Sequence, residues 1–252
     1  MRHLLLPVLT VLSACAAAPT AELQEVRRFH PGSEQLATVY SRWAQPDGSF
    51  VRDGEVLSWY EDGTPRVQAR YVMDQPDGEW REWFANGQLQ RSGRYALGRK
   101  VGEWQERNEQ GVILERSQWK DGRLDGAFER NDDAGHPELR GAFARGQRDG
   151  EWTCFHPNGE ERLRGHYDQG APVGRWTAWF VNGERLGEGG YKGGVRDGLW
   201  VRYSAQGDVL ASGRYAGDVL VSGAAGLSAM AGVHAGDPFD FAGFVDALLA
   251  QE

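Results

Sequence analysis

Cysteine is scarce, with only Cys15 and Cys154 among 252 residues, so no disulfide framework and no paired-cysteine metal motif can be built. Long apolar runs are also missing. The longest stretch, residues 4–11, is too short to span a bilayer. Positive charge is not in excess: 28 basic residues face 36 acidic ones, a net charge of -8. Phosphate binding needs a basic face, so nucleic acid is excluded as a partner. Phosphate loops and Ser/His/Asp or Cys/His signatures are absent too, which argues against an enzyme and implies no cofactor. Six histidines are present, but His3 lies in a leader, and His30, His136 and His234 are isolated. His156 and His166 are expected opposite Glu161 and Glu151, on opposite faces of one hairpin and too far apart to share a metal ion.

Glycine is plentiful, at 35 residues about twice the ordinary share, and tryptophan occurs 10 times. Both follow a period. Glycine recurs every 24 residues at 54, 78, 102, 126, 150, 174 and 198, and again nine positions later at Gly63, Gly87, Gly111, Gly135, Gly159, Gly183 and Gly207. Two residues after the opening glycine stand Val56, Trp80, Trp104, Phe128, Trp152, Trp176 and Trp200. Seventeen after it stand Tyr71, Tyr95, Trp119, Phe143, Tyr167, Tyr191 and Tyr215. A fixed period of this length marks a tandem repeat.

The second glycine column follows asparagine at Asn86, Asn158 and Asn182. Asn-Gly between strand-like runs predicts a two-residue type I′ hairpin, with positive φ at both positions. Placing Asn158-Gly159 at the tip puts Trp152 opposite Gly165 and Gly150 opposite Tyr167. The same register pairs Trp80 with Gly93, Trp176 with Gly189, Trp200 with Gly213, Trp104 with Ser117 and Val56 with Ala69. Each indole would then cover the bare glycine opposite it. The other face carries the pairs Glu55–Arg70, Glu79–Arg94 and Glu151–His166, worth ~0.2–1 kcal/mol each. It also carries a second aromatic set, Trp59, Trp83, Phe155, Trp179 and Tyr203, with Trp59 opposite Arg66, Phe155 opposite Arg162 and Trp179 beside Leu186. Exposed rings on a polar face are the candidate binding surface.

The fold expected is all-β: an elongated antiparallel meander of about seven 24-residue hairpins, about fourteen strands, spanning roughly 65 Å at ~4.8 Å per strand. The chain divides into a leader at 1–14, a linker and degenerate cap hairpin at 15–53, the array at 54–221, an Ala/Gly-rich linker at 222–236, and an amphipathic C-terminal segment at 237–252. In the cap, residues 39–43 and 49–52 flank Pro46-Asp47-Gly48. In the last segment Asp237 and Pro238 start a short helix with Phe241, Phe244, Val245 and Leu248 on one stripe, most simply packed on the open sheet edge. With Cys154 the one remaining thiol, it is expected to be buried.

Two resemblances follow. Leu12-Ser13-Ala14-Cys15, at the end of the short apolar stretch, resembles a bacterial lipobox, which implies cleavage before Cys15 and acylation of its thiol. The alternative is an ordinary secretory signal cut in the adjacent Ala-rich run. Loss of Arg2 with the leader leaves 27 basic residues and a charge of -9. The unit from Gly78 to Gly98, G-x-W-x-x-W-F-x-N-G-x-L-x-x-x-G-x-Y-x-x-G, resembles the MORN repeat, nearest to the bacterial variant of antitoxin-like proteins. Repeats at Gly102 and Gly126 depart from it, with Arg107 and Asn131 at the polar-face aromatic position. The family implies hairpin arrays, contacts with protein or lipid, and no shared catalytic residues. The expectation is a lipid-anchored, non-catalytic envelope scaffold that binds an unknown protein partner and touches the membrane through its lipid. In a two-membrane cell it would face the periplasm from the outer membrane, since Ala16, not aspartate, follows Cys15. The alternatives are cell-wall glycan binding through the aromatic ladder, or an antitoxin- or immunity-like binder of a toxin.

Overall fold

The computed structural model describes residues 23–223. The leader, Cys15, residues 224–236 of the linker and the 237–252 segment lie outside them. Seventeen strands run in chain order. The first five are β1 (Leu23–Phe29), β2 (Leu36–Ala44), β3 (Phe50–Trp59), β4 (Pro65–Val72) and β5 (Gln75–Trp83). Next come β6 (Leu89–Ala96), β7 (Arg99–Arg107), β8 (Ile113–Lys120), β9 (Arg123–Asn131), β10 (Pro137–Ala144) and β11 (Gln147–Phe155). The array continues through β12 (Glu161–Asp168), β13 (Ala171–Trp179), β14 (Arg185–Lys192), β15 (Val195–Tyr203) and β16 (Val209–Ala216) to β17 (Val219–Gly223). Each strand pairs antiparallel with the next, making one open meander. Strand β1 falls in the stretch assigned to linker, and together with β2 and β17 it raises the count from the fourteen expected to seventeen. The cap hairpin at Pro46-Asp47-Gly48 forms as β2 and β3.

The turn chemistry is the reverse of the expectation. At Asn158-Gly159 only the glycine has positive φ (87°). Gly159 N–H donates to the His156 carbonyl at 2.8 Å, and His156 N–H to the Glu160 carbonyl at 2.8 Å. This is a three-residue loop, a four-residue turn closed by a left-handed glycine. The true two-residue type I′ turns lie at the opposite end of the strands. Met73-Asp74, Leu97-Gly98, Asp121-Gly122, Arg145-Gly146, Gln169-Gly170, Gly193-Gly194 and Gly217-Asp218 all have positive φ at both positions. Asparagine serves a different purpose in the three-residue loop. Asn158 Oδ1 accepts from Glu160 N–H at 3.1 Å, and Nδ2 donates to the Val181 carbonyl of the next loop at 3.2 Å. Asn86 and Asn182 make the same inter-repeat link.

The longer loop adds one residue to the second strand, so the register slips where the hairpin closes. Phe155 pairs with Glu161 rather than Arg162, Trp59 with Pro65 rather than Arg66, and Trp179 with Arg185 rather than Leu186. His156 becomes a turn residue and does not pair with Glu161. Beyond the slip the expected register holds: Trp152 pairs with Gly165, Gly150 with Tyr167 and Trp176 with Gly189.

The indoles nevertheless lean the other way. A Cβ on Gly165 would fall inside the ring of Trp176, and one on Gly189 inside that of Trp200. Gly93 and Gly141 lie likewise under Trp104 and Trp152. Each tryptophan therefore covers the glycine of the preceding hairpin, not its own, and the covering joins repeats instead of closing one. Where that position is Ser117, the residue paired with it is the smaller Phe128.

These rings form an edge-to-face ladder through the inner face: Tyr71, Trp80, Tyr95, Trp104, then Phe128, Phe143, Trp152, Tyr167, Trp176, Tyr191, Trp200 and Tyr215, with neighbouring centroids 4.9–6.2 Å apart. Such pairs add about 0.5–1.5 kcal/mol each beyond area burial. At the gap, the Lys100 ammonium lies 4.5 Å from the centroids of both Trp104 and Trp119. Arg52, Arg148 and Arg196 cap Tyr71, Tyr167 and Tyr215 at 4.3–4.5 Å.

Two further inner columns divide the molecule in half. In the second half they read Leu139, Cys154, Leu163 and Ala178, all buried, and Trp176 is 0% exposed. In the first half they read Glu82, Arg91, Glu106, Glu115 and Arg130, cross-strand neighbours that form ion pairs Arg91–Glu106 (3.1 Å) and Arg130–Glu115 (3.6 Å). The main apolar cluster accordingly runs from Phe128 to Tyr215. Cys154 lies inside it, and burial pushes its thiol up to about 12.

Candidate interaction face

The inner rings are used up in packing, so any recognition by side chains falls to the outer face. The expected aromatic column is found there. Trp59, Trp83, Phe155, Trp179 and Tyr203 each end an odd-numbered strand just past the register slip, and each is half-buried. The position recurs on every second strand, about 10 Å apart, and the rings are interrupted at β7 and β9, which end in Arg107 and Asn131. Among the described residues no ring contact joins one member of this column to another.

Charged neighbours from the preceding hairpin hold the rings instead. The Arg164 guanidinium lies 5.4 Å from the Trp179 ring centroid, and that of Arg140 lies 5.4 Å from Phe155. Tyr203 Oη donates to Glu188 Oε1 at 3.2 Å. Glu188 also binds Arg175, and Arg185 at 3.5 Å. Burial works to raise the Glu188 carboxyl, but Arg175, Arg185 and the Tyr203 hydroxyl together hold it below the ordinary glutamate range. Backbone positions are tied as well. Tyr60 Oη donates to the Trp83 carbonyl at 2.8 Å, His156 Nε2 to that of Trp179 at 3.0 Å, and His30 Nε2 to that of Trp59 at 3.1 Å. His156 is thus a strap between loops. His166 is exposed on β12, directly opposite Glu151.

The structural glycines Gly63, Gly87, Gly159 and Gly183 all close three-residue loops with φ of 83–87°. Of the structural tryptophans, Trp152, Trp176 and Trp200 are buried in the inner ladder and Trp80 is half-buried there, with its Nε1 donating to Glu82 at 2.9 Å.

The sequence presents the charged residues of this face as register pairs and not as part of a site. Glu55 and Arg70, and Glu79 and Arg94, are register partners as expected, yet neither couple forms an ion pair. The stem of Arg70 lies along Gly78, 3.7 Å from where a Cβ would stand, where the positive-φ glycine (110°) bulges the strand. Two adjoining depressions of about 420 and 600 Å³ result on the outer side of β3 to β7. They share Glu79, Arg81 and Arg94. Among the described residues Arg70, Arg81 and Arg94 have no carboxylate partner. The signal in the sequence was the glycine column itself: positive φ inside a strand makes a dent, and the residues around it are ionic.

Among the described residues no cluster of His, Cys, Asp and Glu could hold a metal ion. No curated protein matches the chain. A family model, the MORN repeat variant, matches at residues 52–73, 76–96 and 148–169. Each matched segment runs from the strand that carries the opening glycine, through the three-residue loop, to the end of the following strand or the type I′ turn. Repeats of this kind often serve protein or membrane interaction and generally carry no catalytic machinery. At three places, then, the chain is similar to the MORN repeat variant.

Proposed function

We propose that this protein is a non-catalytic scaffold at the cell envelope, anchored through an acylated Cys15, that binds a protein partner through the outer face of its sheet. The observation that carries the reading is the contrast between the two faces. Inner rings are as little as 0% exposed, whereas the outer face over β3 to β7 offers a groove with three arginines that have no carboxylate partner among the described residues, and the half-buried Trp83 stands two residues along β5 from Arg81. Unpaired ionic groups beside amphipathic rings suit a protein surface of mixed charge. Guanidinium groups over Trp179 and Phe155 occupy ring faces that a sugar would need, which favours protein over glycan.

The test has two parts. Palmitate labelling and membrane fractionation of Cys15→Ser should show loss of label and release from membranes; a variant that stays membrane-bound removes the anchor from the reading. A photo-crosslinking side chain placed at Arg81 in cells should yield a discrete protein adduct that Trp83→Ala with Arg94→Ala abolishes at unchanged melting temperature. The absence of any adduct there removes the outer face as the recognition surface.

A further inference from the structure

The two open edges of the sheet are built differently. Strand β1 carries Glu25, Arg27 and Arg28, charges that discourage pairing with another chain. Strand β17, Val-Leu-Val-Ser-Gly, carries none, and Val219 and Val221 are 63% and 56% exposed. Exposed apolar side chains gather at the same end. Of the twelve large exposed hydrophobic residues among those described, six lie on β15, β16 and β17: Val195, Leu199, Val209, Leu210, Val219 and Val221. An uncharged edge bordered by such a patch needs a cover.

We infer that the cover is the chain's own segment 237–252, folded back across the β15–β17 end of the sheet. The chain leaves β17 at Gly223, so the segment starts at the edge it would close. The thirteen residues 224–236 can span up to about 43 Å at ~3.3 Å per residue, more than enough to cross three strands. Phe241, Phe244, Val245 and Leu248 fall on one stripe at helical spacing and match the apolar patch. Charge agrees as well. Residues 224–252 contain Asp237, Asp240, Asp246 and Glu252 and no lysine or arginine. Arg214, the register partner of both Leu199 and Ser222, is exposed and has no ion pair among the described residues. The cover explains why this end of the array dispenses with the charges that guard β1.

Hydrogen exchange on the soluble full-length Cys15→Ser chain, compared with the same chain carrying Phe241→Ser and Phe244→Ser, tests this. The expected result is at least tenfold faster exchange across β15 to β17 in the serine variant, with β5 to β7 unchanged. Equal exchange in the two chains would overturn the inference. Sedimentation supplies the second readout. The parent should be a monomer; a parent dimer that dissociates on Val219→Lys would instead assign the edge to a second copy. Adding a peptide of residues 237–252 to a chain ending at Gly223 should restore slow exchange in β17, and failure to do so counts against the cover.

Discussion

Gly165 is the position at which a single atom matters most. It is glycine because the Trp176 ring takes the space of its Cβ, and not because of an unusual φ. Gly165→Ala should therefore cost about 1–3 kcal/mol through overpacking. Trp176→Phe in the same chain should recover part of that cost, because Phe128 already pairs with Ser117 at the equivalent place. Additive losses in a thermodynamic double-mutant cycle would contradict this interlock. The two tryptophans of β13 make a second comparison. Trp176→Ala removes a 0%-exposed ring and should cost about 3–5 kcal/mol. Trp179→Ala removes a half-buried ring held by Arg164 and should cost about 1 kcal/mol. Equal costs in urea melts would mean that both faces are covered.

A hairpin of this array is a short loop at one end, a type I′ turn at the other, and a glycine bulge between. The type I′ turns hold the least comfortable residues. Gln169 is left-handed at φ 48° without the side chain that tolerates it. Gln169→Asn should stabilise by a few tenths of a kcal/mol, up to about 1, visible as a higher denaturant midpoint; a fall in midpoint would argue against strain in that turn. Where a second turn residue is aspartate, it is tied down. Asp74 Oδ1 accepts from Arg52 N–H and Nε, and Asp218 Oδ1 does the same from Arg196. The hydrogen bonds from Arg52 hold the Asp74 carboxyl below its usual range. Between β13 and β15, Glu188 is held low in the same sense by Arg175, Arg185 and Tyr203. A carboxyl with a folded pKa below its unfolded one stabilises the fold at neutral pH. That contribution fades as pH falls through the ordinary glutamate value to the lowered one. Thermal melts over this acid window should show a decline that is smaller in Glu188→Gln. An identical decline in both would exclude Glu188 as a contributor.

Across the whole molecule, stability should be graded. Nearest-neighbour contacts dominate in a repeat sheet, so each hairpin reports its own inner columns. From Leu139 to Ala178 those columns are apolar and buried, whereas Glu82, Arg91, Glu106, Glu115 and Arg130 replace them in the first half. Partly exposed ion pairs contribute little. Native-state hydrogen exchange should accordingly be slowest over β10 to β16 and faster over β4 to β8. Uniform protection along the array would mean that the sheet opens as one unit.

The period, the strand class and most of the register were legible in the sequence. A 24-residue spacing of glycine and aromatic residues has only one repeating explanation, and alternation along a strand assigns faces by arithmetic. Burial of Cys154 was expected of a lone thiol, and it lies on the inner face two residues from Trp152. Turn type was less legible, because Asn-Gly serves equally in a type I′ turn and in a three-residue loop ended by a left-handed glycine. The type I′ turns instead used Leu97-Gly98, Arg145-Gly146 and Gln169-Gly170, whose first residues carry no turn signature. That single choice shifted the partners of Trp59, Phe155 and Trp179. Which glycine an indole covers was not legible at all, since Trp176 has Gly165 on one side and Gly189 on the other. Pairing counts residues along the chain, but the direction in which a ring leans is decided by twist and by packing against the neighbouring repeat. The outer groove belongs to tertiary structure for the same reason. Glu79 and Arg94 are partners by count, and only the bulge at Gly78 determines that their side chains part.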